Sequence, residues 1–281
     1  MFRKILLFPL LVFGVMSIHA QSFNFQHFDV PNSAATEPDN INARGDIVGF
    51  FIDHAGRQHG FFFTDGTFTQ LDFPGATATK TAGLNNRGDI VGTFTDASNV
   101  NHGLLLEKGG AFTQVDFPGA VSTVLEAIND SREIVGFFTD TAGRTHGLTE
   151  AKGTFTQIDV PGSISTQIIG LNNRGQFVGA FVDASGRQHG FLKSGSTFTT
   201  IDPPGSIFTF CFGMNSRTDI VGSFNDAAGK GHAFLDQDGT FTQIDFPGAV
   251  STDGNDINAE GTIIGDFFDS TGAEHGYIIP R

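Results

Sequence analysis

The sequence predicts an all-β fold, a six-bladed β-propeller with four antiparallel strands per blade, and three observations carry that reading. The string Phe-Thr-Gln-x-Asp-x-Pro-Gly returns in near-identical form, with its aspartates at Asp29, Asp72, Asp116, Asp159, Asp202 and Asp245, in steps of 43, 44, 43, 43 and 43 residues. A fixed period of this size marks a repeat architecture. Each repeat divides into four short alternating segments separated by turn residues, which is the content of one propeller blade. Finally, the repeat is split across the chain ends. The last repeat stops after its third segment (His275-Gly276-Tyr277), and an isolated fourth segment, Phe23 to Pro31, precedes the first. The N-terminal strand is therefore expected to complete the last blade and to remove an exposed sheet edge.

Taken in chain order, residues 1–20 have a basic start (Arg3, Lys4), an apolar run from Ile5 to Ile18 broken by Pro9, and a small residue, Ala20, before Gln21. They read as a secretory signal peptide, too short and wrongly flanked for a membrane span. Residues 21–281 then form a single propeller domain, expected in the periplasm or the extracellular space. Within a repeat, segment one ends on an apolar residue and Asn: Ile41-Asn42, Leu84-Asn85, Ile128-Asn129, Leu171-Asn172, Met214-Asn215 and Ile257-Asn258. A polar turn such as Asn86-Arg87-Gly88 follows. Segment two, Asp-Ile-Val-Gly-x-Phe-x-Asp as in Asp89 to Asp96, carries β-branched and aromatic residues at period two. A tight Asp-x-x-Gly turn, for example Asp183 to Gly186, leads to segment three, which opens on His-Gly. Segment four is Phe-Thr-Gln-Ile-Asp, closed by Pro and Gly. Glycine is frequent, and no stretch keeps a 3.6-residue period over helical length, so helices are excluded.

Composition narrows the functional classes. The formal charge is −14, or −16 once Arg3 and Lys4 are cleaved away. Nucleic acid and anionic membrane both need clustered Lys and Arg, so neither is expected as a partner, and no membrane insertion is expected. The single cysteine, Cys211, precludes an internal disulfide despite export. Stability must come from burial. With 32 Phe, one Tyr and no Trp, and about 1.5–3 kcal/mol for each buried Phe, Phe reads as core filler rather than as a sugar-stacking platform.

At Gly231-His232-Ala233-Phe234 the chain resembles the HAF repeat family, named for that tripeptide and described as probable extracellular repeats. The other copies carry Gly in the Ala slot, as in His59-Gly60-Phe61 and His189-Gly190-Phe191. The resemblance covers the whole mature chain and implies export and a repeat fold, but no reaction. A looser similarity is to WD-repeat propellers, whose Gly-His dipeptide and turn Asp form a network within the blade. The Trp-Asp dipeptide of that family is missing here.

Residues present in every repeat are expected to build it. His59, His102, His146, His189, His232 and His275 each follow a turn aspartate by six residues: Asp53, Asp96, Asp140, Asp183, Asp226 and Asp269. Blade geometry sets each His between that Asp and the Asp of the Asp-x-Pro motif. A general-base or metal-ligand set has the same composition, but sixfold recurrence favours a structural network, since buried polar groups must be paired. The repeat Asn residues suit turns. His27 and His54 read as surface residues outside the repeat slots. No nucleophile elbow, phosphate loop, zinc signature or EF-hand is present. No catalytic residue and no cofactor is assigned, and metal binding is left open.

Function is instead expected where repeats disagree. On the innermost strand, Glu37, Lys80, Gln167, Phe210 and Asp253 stand five residues before the repeat Asn, Asp39 and Glu126 three before, and Asp256 adjoins them. These eight are the ligand-binding candidates, acidic on one arc and apolar on the other. Acids gathered where blades one and six meet should repel one another and favour a cation. The expected site is the face of the strand-four-to-one and strand-two-to-three loops. The protein reads as a secreted, monomeric binding module for a small molecule, glycan or protein of cationic character. The alternatives are a glycan-cleaving enzyme, hydrolase or lyase, using carboxylates such as Glu37 and Glu126, and a purely structural envelope or matrix protein.

Overall fold

A computed structural model describes residues 23–281, so the signal-peptide reading lies outside the described residues. Twenty-four strands form six antiparallel four-stranded sheets, five of them built from four strands consecutive in sequence. We number the blades one to six from their inner strands: Ala35–Ile41, Ala78–Leu84, Ser122–Ile128, Ser165–Leu171, Phe208–Met214 and Ser251–Ile257. The sixth sheet takes its outer strand, Gln26–Phe28, from the N-terminus, paired with Glu274–Ile279 through Gln26↔Ile278, His27↔Tyr277 and Phe28↔Gly276. His27 therefore occupies the slot that Gln70 fills opposite Phe61 in blade one. It is a repeat position after all, exposed and set edge-on against the rings of Phe246 and Phe267.

The core lies between blades rather than at one centre. Each cluster mixes residues of adjacent sheets, as where Ile41, Ile47 and Phe61 of blade one meet Ile264 of blade six. The closing segment serves three blades at once. Phe28 packs on Phe63 and Phe68 of blade one at 4.9 and 5.1 Å, while Phe25 meets Phe246 and Tyr277 at 5.0 and 5.2 Å.

One local irregularity shapes the interior. Every inner strand carries a β-bulge at the same place, between Pro38 and Asn40 in blade one and between Gly254 and Asp256 in blade six. Opposite it stands the invariant Gly of Asp-Ile-Val-Gly. A Cβ on Gly49 would overlap the carbonyl oxygen of Glu37, so only glycine fits beside the bulge. The bulged residues are Asp39, Ala82, Glu126, Ile169, Phe212 and Asn255, each left out of the ladder.

Polar bonds then tie blade to blade. The repeat Asn caps its own turn, with Asn42 Oδ1 accepting from Arg44 and Asp46 N–H at 2.9 and 3.1 Å. Its amide also reaches the next blade: Asn85 donates to the Asn129 carbonyl, Asn172 to Asn215, Asn215 to Asn258, and Asn258 across the closure to Asn42, at 3.2–3.3 Å. At the slot after the bulge four blades carry Gly or Ala. The other two carry Asn40 and Asp256, which form a clasp. Asp256 Oδ2 accepts from Asn40 Nδ2 at 2.7 Å and Ile41 N–H at 3.1 Å, and Asn40 Oδ1 accepts from Leu84 N–H at 3.0 Å.

Within blades, the Thr at the second position of each inner strand accepts the N–H of the residue between Asp and Pro, as Thr36 does from Val30 at 3.0 Å. Blade five departs from this. Pro203 has no N–H to give, and Thr209 donates to Ser206 instead at 3.2 Å.

Deleting Phe23 to Pro31 should expose the edge of Glu274–Ile279 and the faces that Phe25 and Phe28 cover. The expected loss is on the order of 3–6 kcal/mol, or roughly 10 °C in melting temperature, with association through the bared edge. A truncated protein that melts like the parent and sediments as a monomer would refute the closing role.

Candidate functional site

The inner strands wall a central cavity of about 470 Å³. Strand alternation keeps residues two apart, such as Glu37 and Asp39, on the same inward side, and all eight sequence candidates line the cavity: Glu37, Asp39, Lys80, Glu126, Gln167, Phe210, Asp253 and Asp256. The cavity lies deeper than the loop face expected from sequence. Glu37 is the third residue of its strand, roughly 7 Å in from the loop at about 3.3 Å per residue. From there the lining continues to the strand-one-to-two turns, including Ala43, Asn86, Asp130 and Asn173, and thus toward the opposite face.

Charge around the cavity is uneven. Lys80 Nζ sits 2.8 Å from Asp39 and 3.6 Å from Glu37, and 5.2 Å from the centre of the Phe50 ring. Burial alone would depress its pKa, but Asp39, Glu37 and Glu126 hold it well above the ordinary lysine value. Lys80 is thus a resident cation that relieves part of the repulsion expected among the acids. Asp256 leaves the repelling set for another reason, because its Oδ2 is committed to the blade-six-to-one clasp.

The far side of Glu37 has no such relief. Carboxylate oxygens of Glu37, Asp266 and Glu274 lie within 4.8 Å of one another. Asp266 is 3% exposed and accepts one bond at 2.9 Å, from Asn255 Nδ2. Burial, then Glu37, Asp253 and Glu274, push its carboxyl well above the usual range. Burial and Glu37 bring Glu274 to about 8. Asp253 is raised by burial and Glu37 against a hydrogen bond from Ser223. Burial lifts Asp256 to about 7 despite two backbone N–H donors, and it also raises Glu126 against the pull of Lys80.

Asp266 and Glu274 are the residues that sequence reasoning passed over. Asp266 stands where other repeats have Phe50, Thr93, Phe137, Ala180 and Ser223, and Glu274 where they have Gln58, Asn101, Thr145, Gln188 and Gly231. Both slots vary between repeats, so disagreement among repeats would have found them on strands two and three as it did on strand one. Tyr277, the single tyrosine, supports this corner by donating its hydroxyl to the Asp253 carbonyl at 2.8 Å.

Across the cavity the wall is apolar. Phe210 and Phe212 stack with ring centres 4.7 Å apart and planes within 6°, and Phe208 continues the ladder 6.5 Å from Phe210. Gln167 is the polar neighbour on blade four. Cys211 points away and is fully buried.

The histidines lie outside this cavity. Each Nδ1 sits 2.7–3.0 Å from the Asp of Asp-x-Pro: Asp72, Asp116, Asp159, Asp202, Asp245 and Asp29 in turn. Each Nε2 lies 3.3–3.8 Å from the turn aspartate. That aspartate spends its other oxygen on the turn, as Asp53 does on Ala55 and Arg57 N–H at 2.8 and 2.9 Å. A Phe of strand two stacks on every ring at 5.1–5.3 Å. Both ring nitrogens face carboxylates and one ring face is covered, a geometry that orders the turn.

The fold has solved relatives. It is similar to AofleA from Arthrobotrys oligospora, with a TM-score of 0.57 and 14% identity over 94% of this chain and 85% of that one. It is also similar to the Aleuria aurantia lectin, described as a six-bladed β-propeller with its own fucose recognition mode, at a TM-score of 0.53 and 12% identity over 90% and 93% of the two chains. The SapL1 lectin in complex with α-methyl fucoside matches with a TM-score of 0.56 and 11% identity over 89% and 96%. At such identities the likeness establishes the six-bladed fold alone. No family model matches the chain, so the HAF resemblance rests on its residues, and no curated protein matches either.

The raised carboxyls fix a direction for pH dependence. They bind protons more tightly in the folded chain, so the stability they confer is complete below about pH 4 and lost as pH rises through about 7 to 8. Asp89, held at about 2 chiefly by Arg132, acts oppositely and loses its contribution as pH falls. Calorimetry should find greatest stability near about pH 5 and a decline on the order of 3 kcal/mol by about pH 9. Glu274→Gln should flatten the alkaline limb. A melting temperature that holds constant or rises over that limb contradicts the assignment.

Proposed function

We propose that the protein is an exported binding module that takes an amine-bearing glycan unit into its central cavity. The observation that carries this reading is the imbalance of charge: eight carboxyls line one cavity with a single ammonium, that of Lys80. A ligand amine seated between Glu37, Asp253, Asp266 and Glu274 would supply the missing cation, and its gain is large because these groups are partly desolvated. Phe210 and Phe212, lining the cavity rather than filling the core as the sequence reading expects of Phe, offer the C–H groups of a sugar an apolar wall. Six-bladed lectins in complexes with fucosides support a glycan as the ligand class. Export rests on the reading of residues 1–20 and on the resemblance to HAF repeats.

Glucosamine should stabilise the protein against heat, and its neutral N-acetyl form should not. At about 100 times the dissociation constant, the gain is roughly 2.7 kcal/mol, read as a shift of roughly 5–10 °C. Glu37→Gln with Asp253→Asn should abolish it. Equal shifts from the charged and neutral sugars, or from the parent and the double variant, would sink the proposal.

One observation favours a second reading. A carboxyl lifted to about 8, that of Glu274, stands beside Glu37, and a protonated acid paired with a carboxylate is the equipment of glycosidic bond cleavage. Release of reducing sugar from an amine-bearing oligosaccharide, lost in Glu274→Gln, would establish it.

A further inference from the structure

The opposite face of the ring carries a feature that neither the fold nor the cavity explains. Among the described residues, the only large apolar side chains left strongly exposed are Val121, Ile164, Ile207 and Val250, at 50–57% exposure. They are not scattered. All four occupy the same slot, two residues after the Gly of the Asp-x-Pro-Gly turn, in the loops entering blades three, four, five and six. The inner strands that follow them are neighbours in turn, so the four side chains stand on consecutive blades, in an arc around the ring axis.

The fold does not require apolar residues there. What the slot contributes is a backbone N–H, donated to the carbonyl just ahead of the turn aspartate: Val121 to Thr139, Ile164 to Val182, Ile207 to Asn225 and Val250 to Phe268, at 2.7–2.9 Å. Ala34 and Thr77 make the same bond at 2.7 and 2.8 Å in the two remaining blades. Small or polar side chains therefore serve the turn equally well. Four exposed β-branched residues in a row expose apolar surface with no structural return, which is the mark of an interaction surface.

The surroundings indicate what covers it. Those same bonds set each apolar side chain beside a turn aspartate. The four blades carry eight aspartates of the turn and Asp-x-Pro slots on this face, with side chains 22–40% exposed. Against them the turns offer three cations, Arg144, Arg187 and Lys230, and Ala273 stands in the fourth position. Arg144 and Arg187 donate to loop carbonyls, those of Ile164 and Ser206, and Arg187 also lies 3.9 Å from Asp202, so the girdle keeps an excess of acids. An apolar arc inside an acidic girdle complements a partner that presents apolar side chains flanked by cations.

We propose that this face docks a basic, amphipathic polypeptide segment of another protein, with its apolar side chains on the arc and its Lys or Arg residues on the girdle. The site is separate from the cavity, and neither reading depends on the other.

The test uses a fluorescent peptide of alternating Leu and Lys, with Leu–Glu and Ser–Lys peptides as controls, followed by anisotropy. The variant replaces all four residues by Thr, the native occupant at Thr77: Val121→Thr, Ile164→Thr, Ile207→Thr and Val250→Thr. This leaves both the fold and the girdle charge in place. The Leu–Lys peptide should bind in a salt-sensitive manner, and the variant should bind it about tenfold or more weakly. Neither control should compete. Equal affinity of parent and variant, or of the Leu–Lys and Ser–Lys peptides, would overturn the proposal. So would self-association of the parent that the variant lacks, which would assign the face to a second copy of this chain.

Discussion

Everything in this molecule depends on one strand pairing made between the chain's two ends. Sheets radiating from an axis bury their faces only against one another, so each needs neighbours on both sides. An open row of six would leave two apolar faces in water. The three-residue strand Gln26–Phe28 prevents this by making the last blade partly from the first residues of the chain. Its ladder is short, but Phe25 and Phe28 connect blades five, six and one in a single set of contacts. The Asn258 bond to blade one repeats, at the closure, a link that other neighbouring blades make, and the Asp256 clasp adds one that four of the blades have no side chain to form. Closure thus combines apolar burial on the outer side of the ring with hydrogen bonding on the inner side, and each makes the other's geometry possible.

A ring held in this way tolerates an interior that does not favour folding. Buried carboxyls raised above their usual range each cost stability at neutral pH, and Asp253, Asp266 and Glu274 stand together. The framework offsets that cost at positions far from the cavity, in repeated His–Asp pairs, Thr caps and interblade Phe contacts. Strain concentrated where repeats differ, and support distributed where they agree, is the division that the proposed binding role would require. Lys80 marks the limit of it: one cation is built in against Asp39 and Glu37, and the acids beyond are left unneutralised.

The blade number and the identity of the closing strand were legible because both follow from counting. The register of Phe25 and Asp29 with Phe68 and Asp72 assigns the first strand to the last sheet. The inward residues of the inner strand were legible from variation alone. What escaped reading depends on packing between blades. The amide of Asn85 reaching the carbonyl of Asn129 involves two copies of one motif, and a single repeat shows no trace of it. Asp256 resembles its acidic neighbours in sequence, yet the bulge turns it toward blade one, where it bonds Asn40. Asp266 and Glu274 enter the cavity from strands two and three because blade six presents its flank to Glu37. The site's depth also required the strand bounds, since loop residues and residues one turn of the pleat inside look alike along the chain.

The six bulges have a consequence for how such a protein changes over time. Because the ladder skips Asp39, Ala82, Glu126, Ile169, Phe212 and Asn255, their side chains carry almost none of the sheet's pairing energy, while the glycine opposite keeps the backbone fixed. Each is a socket whose occupant is exchangeable without renegotiating the blade. The six residues now found there, two acids, one amide, two large apolar groups and one alanine, have diverged inside copies that otherwise remain nearly alike. Substitution can therefore revise the lining of the cavity one socket at a time, and the smallest occupant, Ala82, stands two residues from Lys80 on that wall.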